Sequence, residues 1–209
     1  MKLYKEDILK LNRIKRINLI NSVTGIKPAN LIGTKSKEGY ENLAIISSVV
    51  HLGSDPAILG FTLRPQKYQK SDTYKNIINT SFFSINSISN EFIENAHYTS
   101  AKLPFGQSEF EKMKIKKEYI EDFYSPFVYS SSIKIGLELN KEISLPNECV
   151  LITGNICVIS IDDKILTETG HINLMDSNIV GISGVDTYYS LVKSKKMPYI
   201  GTEDIDKLF

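Results

Sequence analysis

Two strand-like runs in the second half of the chain constrain its fold most. Residues 132–139 place Ile133, Ile135, Leu137 and Leu139 at alternate positions, the period of a strand with one buried face. Residues 150–161 are apolar almost throughout, as a strand covered on both faces would be, and so belong near the centre of a sheet. Between residues 30 and 63, three shorter apolar runs are separated by turn signals at Lys37-Glu38-Gly39 and Gly53-Ser54-Asp55-Pro56, the pattern of a meander or Greek key. Helical patterns interrupt the strands at a few points and do not alternate with them. The expected class is therefore mainly β with helical insertions, a Greek-key type barrel and not a doubly wound sheet.

The helical pieces are short. Residues 5–23 carry Ile8, Leu9, Leu11, Ile14, Ile17, Leu19 and Ile20 at helical spacing with at least one break, and Gly25 is a natural stop. Ser71 or Asp72 can cap a helix through Tyr74, Ile77 and Ile78, followed by a strand over residues 82–86. A second helix is expected over residues 90–98, and Ser108 with Glu111 has the spacing of a capping box. With 209 residues, 42% hydrophobic and 23% charged, the chain suits one domain over 1–209 with a helical extension at about 1–25.

Several functional classes are disfavoured. The formal net charge is +1, and the lysines of 112–117 and 193–196 stand in mixed sequence, so solvated faces are expected and no nucleic-acid partner. Residues 1–16 are charged throughout, and no apolar run is long enough to span a bilayer; no membrane partner and a cytoplasmic location are expected. Cys149 and Cys157 share one strand-like run, which separates them by about 26 Å, against the roughly 7 Å between Cα atoms that a disulfide tolerates. Neither dinucleotide-binding nor P-loop glycine patterns occur. Gly181-Ile182-Ser183-Gly184 is one residue short of a nucleophile elbow, and the three histidines lack metal-ligand spacing, so no metal site is expected.

Three segments remain that could carry chemistry. Residues 42–48 (Asn42, Leu43, Ala44, Ile45, Ile46, Ser47, Ser48) offer hydroxyls and backbone N–H groups that suit a phosphate, and the same small residues suit a tightly packed strand. If the strand ran through, Ser47 and Ser48 would point to opposite faces. Arg64, leaving a strand near a helix that opens at Ser71-Asp72-Thr73, suits an anion; a surface ion pair with Asp72 is the structural alternative. The segment Ala96-His97-Tyr98-Thr99-Ser100-Ala101, ahead of Pro104 and Gly106, could border a flat aromatic ligand, whereas His51 and His171 read as structural.

Taken in this order, the segments resemble the flavin reductase-like family of FMN-binding split β-barrels, with flavoredoxin-like members. The likeness runs from about Leu19 to Pro198 and includes Asn30 to Thr34, the Ser108 to Glu111 run, Val180 to Gly184, Tyr188 to Ser190, and Pro198-Tyr199. The resemblance implies a homodimer holding FMN near the subunit interface, with NADH or NADPH as reductant and an electron-accepting enzyme or free flavin downstream. It places Thr34, Asn42, Ala44, Ser47 and Ser48 along the flavin, and Arg64, Thr73 and Asn76 at its phosphate. It brings His97, Tyr98, Thr99 and Ala101 up to the ring system, from either subunit. It identifies no side chain as an acid–base catalyst, since the cofactor carries the chemistry. An electron carrier that reacts poorly with nicotinamides, and a barrel dimer binding a ligand without redox chemistry, are the alternatives.

Overall fold

The computed structural model describes residues 1–197 and residue 201. In chain order its helices are α1 (Lys5–Lys10), α2 (Arg13–Ser22), α3 (Asp72–Thr80), α4 (Ile93–Tyr98) and α5 (Glu109–Lys112). The strands are β1 (Lys27–Pro28), β2 (Asn30–Lys35), β3 (Glu41–Ile46), β4 (Val50–Ser54), β5 (Ala57–Leu63), β6 (Phe82–Ser87), β7 (Lys117–Glu118), β8 (Phe127–Val128), β9 (Ile133–Ser144), β10 (Val150–Ile161), β11 (Val180–Ser183) and β12 (Thr187–Ser190). Single 3₁₀ turns lie at Asn90–Phe92 and Asp163–Ile165.

Seven strands form one antiparallel sheet in the order β3-β2-β6-β9-β10-β5-β4. Connectivity forces this sheet to curl. Six strand spacings of about 4.8 Å would put β3 and β4 roughly 29 Å apart if the sheet were flat. Only Ser47, Ser48 and Val49 join them, a link that reaches at most about 14 Å. The sheet therefore curls until its first and last strands lie within that reach, which gives it the form of a barrel. At the corner, the Ser48 hydroxyl accepts from the Thr62 N–H at 3.0 Å and donates to the Thr62 carbonyl at 3.1 Å, standing in for a strand neighbour of β5.

Alternation along the strands feeds two apolar clusters. Leu31 and Leu43 join Ala29, Ile88, Ala96, Phe110 and Val128 on one side. Ile32 joins Phe61, Phe83, Ile85, Leu137 and Ile152 on the other, where α3 contributes Tyr74 and Ile77. β2 is thus buried on both faces. A smaller sheet, β1-β11-β12, packs Val180 and Ile182 on the first cluster.

The sequence expectations meet several corrections. The run 42–48 is not one strand: β3 ends at Ile46, Ser47 lies in a bend and Ser48 in irregular backbone, where the Ser48 hydroxyl is engaged with Thr62. The two serines therefore do not alternate across a strand, and β4 is a separate strand that follows them. β10 lies inside the sheet, but β9 is the middle strand, and beyond Gly154 β10 emerges from cover, with Ile159 51% exposed. The capping box at Ser108 is not made; its hydroxyl is buried without a partner. The N-terminal helical pattern breaks at Asn12, whose side chain caps α2 by accepting from the Lys15 N–H, and neither α1 nor α2 buries a residue. Gly181 and Gly184 belong to the β11–β12 hairpin, where Gly184 has φ +65°. Pro198 and Tyr199 lie outside the described residues.

Both cysteines are free, Cys149 half-buried and Cys157 exposed. Cys149→Ser and Cys157→Ser are expected to leave the melting temperature and any redox activity unchanged; loss of activity in either would make that thiol part of the chemistry. Among the described residues, no group of His, Cys, Asp or Glu is arranged to hold a metal. No helix among them is long and apolar enough to cross a membrane.

Candidate functional site

The β2–β3 hairpin sets Thr34 directly opposite Asn42. Both residues share the strand parity of Ile32 and so face α3 across the barrel end. α3 presents Thr73 and Asn76, three residues apart and so on one helix face. The four side chains form one mesh. Asn42 Nδ2 donates to Thr73 Oγ1 at 2.9 Å and to Thr34 Oγ1 at 3.4 Å, while Asn76 Nδ2 donates to Thr34 Oγ1 at 3.1 Å. Thr34, Thr73 and Asn76 are buried.

This mesh has spare capacity. Both threonine hydroxyls act as acceptors within it, which leaves their own protons without a partner among the described residues. Asn42 and Asn76 also line a cleft with Ser36, Tyr40, Asp72 and Gln107. The loop after α4 closes over that corner: Phe105 packs edge-on against Tyr40 with ring centres 5.3 Å apart, and Gly106, at φ +84°, passes over the same ring. Glu41 on the rim is satisfied by Lys117 and by the Tyr119 hydroxyl at 2.7 Å. Burial, followed by that hydrogen bond, holds the Tyr119 phenol well above its ordinary range.

Ser71 caps α3 by accepting from the Tyr74 N–H at 3.2 Å, and is itself held by Gln66, whose Oε1 accepts from the Ser71 N–H at 2.8 Å. Arg64 lies one residue beyond β5 and is exposed. It does not pair with Asp72, whose carboxylate takes Lys75 at 2.8 Å instead. Among the described residues the Arg64 guanidinium has no ion pair, so a cation stands unengaged near the start of a nine-residue helix. Hydroxyl donors, amides, a free guanidinium and a helix N-terminus form a donor set suited to a phosphate and a polyol chain. Ala44 continues the Asn42 face of β3 and is half-buried.

The third segment is placed differently. His97 and Tyr98 end α4, Thr99 is buried with its hydroxyl donating to the Ala96 carbonyl at 2.7 Å, and Ala101 is exposed. His97 Nδ1 lies 3.0 Å from the Tyr188 hydroxyl on β12. No hydrogen bond or ring contact among the described residues joins this segment to the Thr34–Asn42–Thr73–Asn76 mesh within the chain.

Two residues in segments that carry the resemblance were not read as site residues, because their partners are remote in sequence. One is Tyr188. The other is Glu109, whose carboxylate accepts from the Leu43 N–H at 3.0 Å and so occupies the outer edge of β3. Burial holds the Glu109 carboxyl above its ordinary range, the Leu43 N–H opposes that rise, and the nearby Asp72 charge adds to it. A carboxyl raised on folding stabilises most below its unfolded pKa, and that contribution is lost as pH climbs through the folded value. Glu109→Gln retains an acceptor for Leu43 and removes the charge. It should therefore be more stable than the parent at neutral pH and equal to it at pH values below the ordinary glutamate range. Urea midpoints across pH test this, and a variant less stable at neutral pH would contradict it.

The sequence matches the flavin reductase like domain family over residues 26–179. A provisionally named flavin reductase with a split barrel domain from Shewanella frigidimarina NCIMB 400 is 38% identical, covers 96% of this chain and 100% of its own, and superposes with a TM-score of 0.90. Nitrilotriacetate monooxygenase component B from Bacillus cereus shares the fold at 18% identity and TM-score 0.84, over 94% of this chain and 98% of its own. The flavoredoxin of Desulfovibrio vulgaris (Miyazaki F) does so at 19% identity and TM-score 0.73, over 83% and 91%. The curled seven-stranded sheet, the family match over most of the chain and the shared fold lead to one conclusion: this chain belongs to the flavin reductase-like domain family and is a split β-barrel.

Proposed function

We propose that this protein is an FMN-binding oxidoreductase, a homodimeric NAD(P)H-dependent flavin reductase that passes electrons to a partner enzyme or to free flavin. One domain over residues 1–209, with its helical extension, carries the site. The observation that supports this most is the mesh of Thr34, Asn42, Thr73 and Asn76, which three separated segments bring together and whose threonine protons no described residue takes up.

In this reading Arg64 and the start of α3 hold the phosphate, Thr34 and Thr73 donate to the ribityl and phosphate oxygens, and Asn42 and Asn76 fix those hydroxyls in place. Ala44, Ser47 and Ser48 border the ring system, with Ser48 acting through the corner it holds with Thr62. His97, Tyr98, Thr99 and Ala101 close the site from the same or the partner subunit. A bound flavin supplies hydride chemistry that no side chain of this chain provides. The protein's part is to bind, orient and exclude water, consistent with a site of hydroxyls and amides in place of an acid–base pair.

Protein reconstituted with FMN and mixed anaerobically with NADH or NADPH tests the reaction. The flavin absorbance should bleach within seconds with at least one nucleotide. Retention of FMN without bleaching over an hour would favour the electron carrier suggested by the flavoredoxin likeness. Failure to bind FMN would leave a barrel with another ligand.

A further inference from the structure

His97 on α4 meets the C-terminal hairpin through one hydrogen bond, between Nδ1 and the Tyr188 hydroxyl at 3.0 Å. The two rings stand edge to face with centres 5.8 Å apart, and Tyr98 packs against the imidazole at 6.3 Å. Two proton placements satisfy this geometry: Tyr188 donates to an Nδ1 lone pair, or an Nδ1–H donates to the phenol oxygen.

Chemistry separates them. An unprotonated imidazole nitrogen accepts strongly, whereas a phenol is the better donor. A phenol that accepted from Nδ1–H would need a second acceptor for its own proton, and the Tyr188 hydroxyl has no other hydrogen-bond partner among the described residues. Burial, with the Asp186 charge adding to it, pushes the Tyr188 pKa up to about 12, so the hydroxyl keeps its proton. His97 Nε2 has no protein partner among the described residues.

We propose that Tyr188 is a positioning residue that locks neutral His97 with its proton on Nε2, so that His97 offers a bound ligand an N–H donor and not a basic lone pair. The proposal rests on the functional reading in which the His97 segment borders the flavin. The group recognised is a carbonyl oxygen, which either the flavin ring or a nicotinamide carboxamide could supply.

Ring ¹⁵N–¹H correlation spectra at a pH where imidazoles are neutral test the lock, with His97→Gln assigning the signals. The wild-type protein should show Nε2 protonated and an Nδ1 resonance displaced by its hydrogen bond. Tyr188→Phe, which keeps the ring packing, should return Nδ1 to the free imidazole position and admit the Nδ1–H form. A wild-type proton on Nδ1, or a Tyr188→Phe spectrum identical to wild type, would overturn the lock; the wild-type measurement stands even if the variant does not fold.

A second arm adds oxidised FMN and then NAD⁺. Movement of the Nε2 proton on FMN alone assigns the flavin carbonyl, and movement only with NAD⁺ assigns the carboxamide. No movement while the flavin absorbance reports binding overturns the donor role. Absence of flavin binding would instead sink the functional reading, with the tautomer arm still deciding the part played by Tyr188.

Discussion

Arg64→Ala is expected to weaken FMN retention about 10- to 150-fold, because it removes a charge-assisted phosphate contact worth about 1.5–3 kcal/mol. The structure sharpens the reason. Asp72, the carboxylate that could have neutralised Arg64, is paired with Lys75, so the guanidinium is not already spent on a surface ion pair. Fluorescence titration of apoprotein with FMN at low and high salt measures the effect, which should shrink as salt screens the contact. Unchanged affinity at low salt would take Arg64 out of the site. Since Arg64 is exposed and makes no ion pair among the described residues, the folded protein itself should melt as before.

Gly33→Ala should produce the largest loss of stability, about 2–4 kcal/mol. A Cβ at Gly33 would lie 2.4 Å from the Pro126 carbonyl oxygen and 2.5 Å from Ser84 Oγ. Those two atoms are already joined, Ser84 donating to Pro126 at 2.6 Å, and Asn86 donates to Ser84 at 2.9 Å. A methyl group must push backbone apart or break a buried network, and either outcome is costly. The next residue is Thr34, so flavin retention should fall as well. Urea unfolding is the check: a midpoint shift equivalent to less than about 1 kcal/mol would mean that the Pro126 segment yields easily.

Much of the fold was legible because it rests on local rules. The alternation of Ile133, Ile135 and Leu137, the apolar run of β10, the Asp55-Pro56 turn and the Ser71 cap each depend on residues close in sequence, and the structure has each of them. The errors came where a side chain took a remote partner in place of a local one. Ser48 reached Thr62 beyond the end of β3. Ser108 was buried without its capping bond while its neighbour Glu109 turned to Leu43.

The candidate site divides the same way. Sequence alone singled out the candidates, Thr34, Asn42, Arg64, Thr73, Asn76 and His97, through residue type and family resemblance. Tertiary structure decided their geometry. Thr34 meets Asn42 by strand register, and both meet Thr73 and Asn76 only because the sheet curls beneath α3. Tyr188 joins His97 across 91 residues of chain, a pairing no local spacing encodes. Local preferences fix which elements form, but contacts between distant segments exist only once chain entropy has been overcome by burial of the whole core.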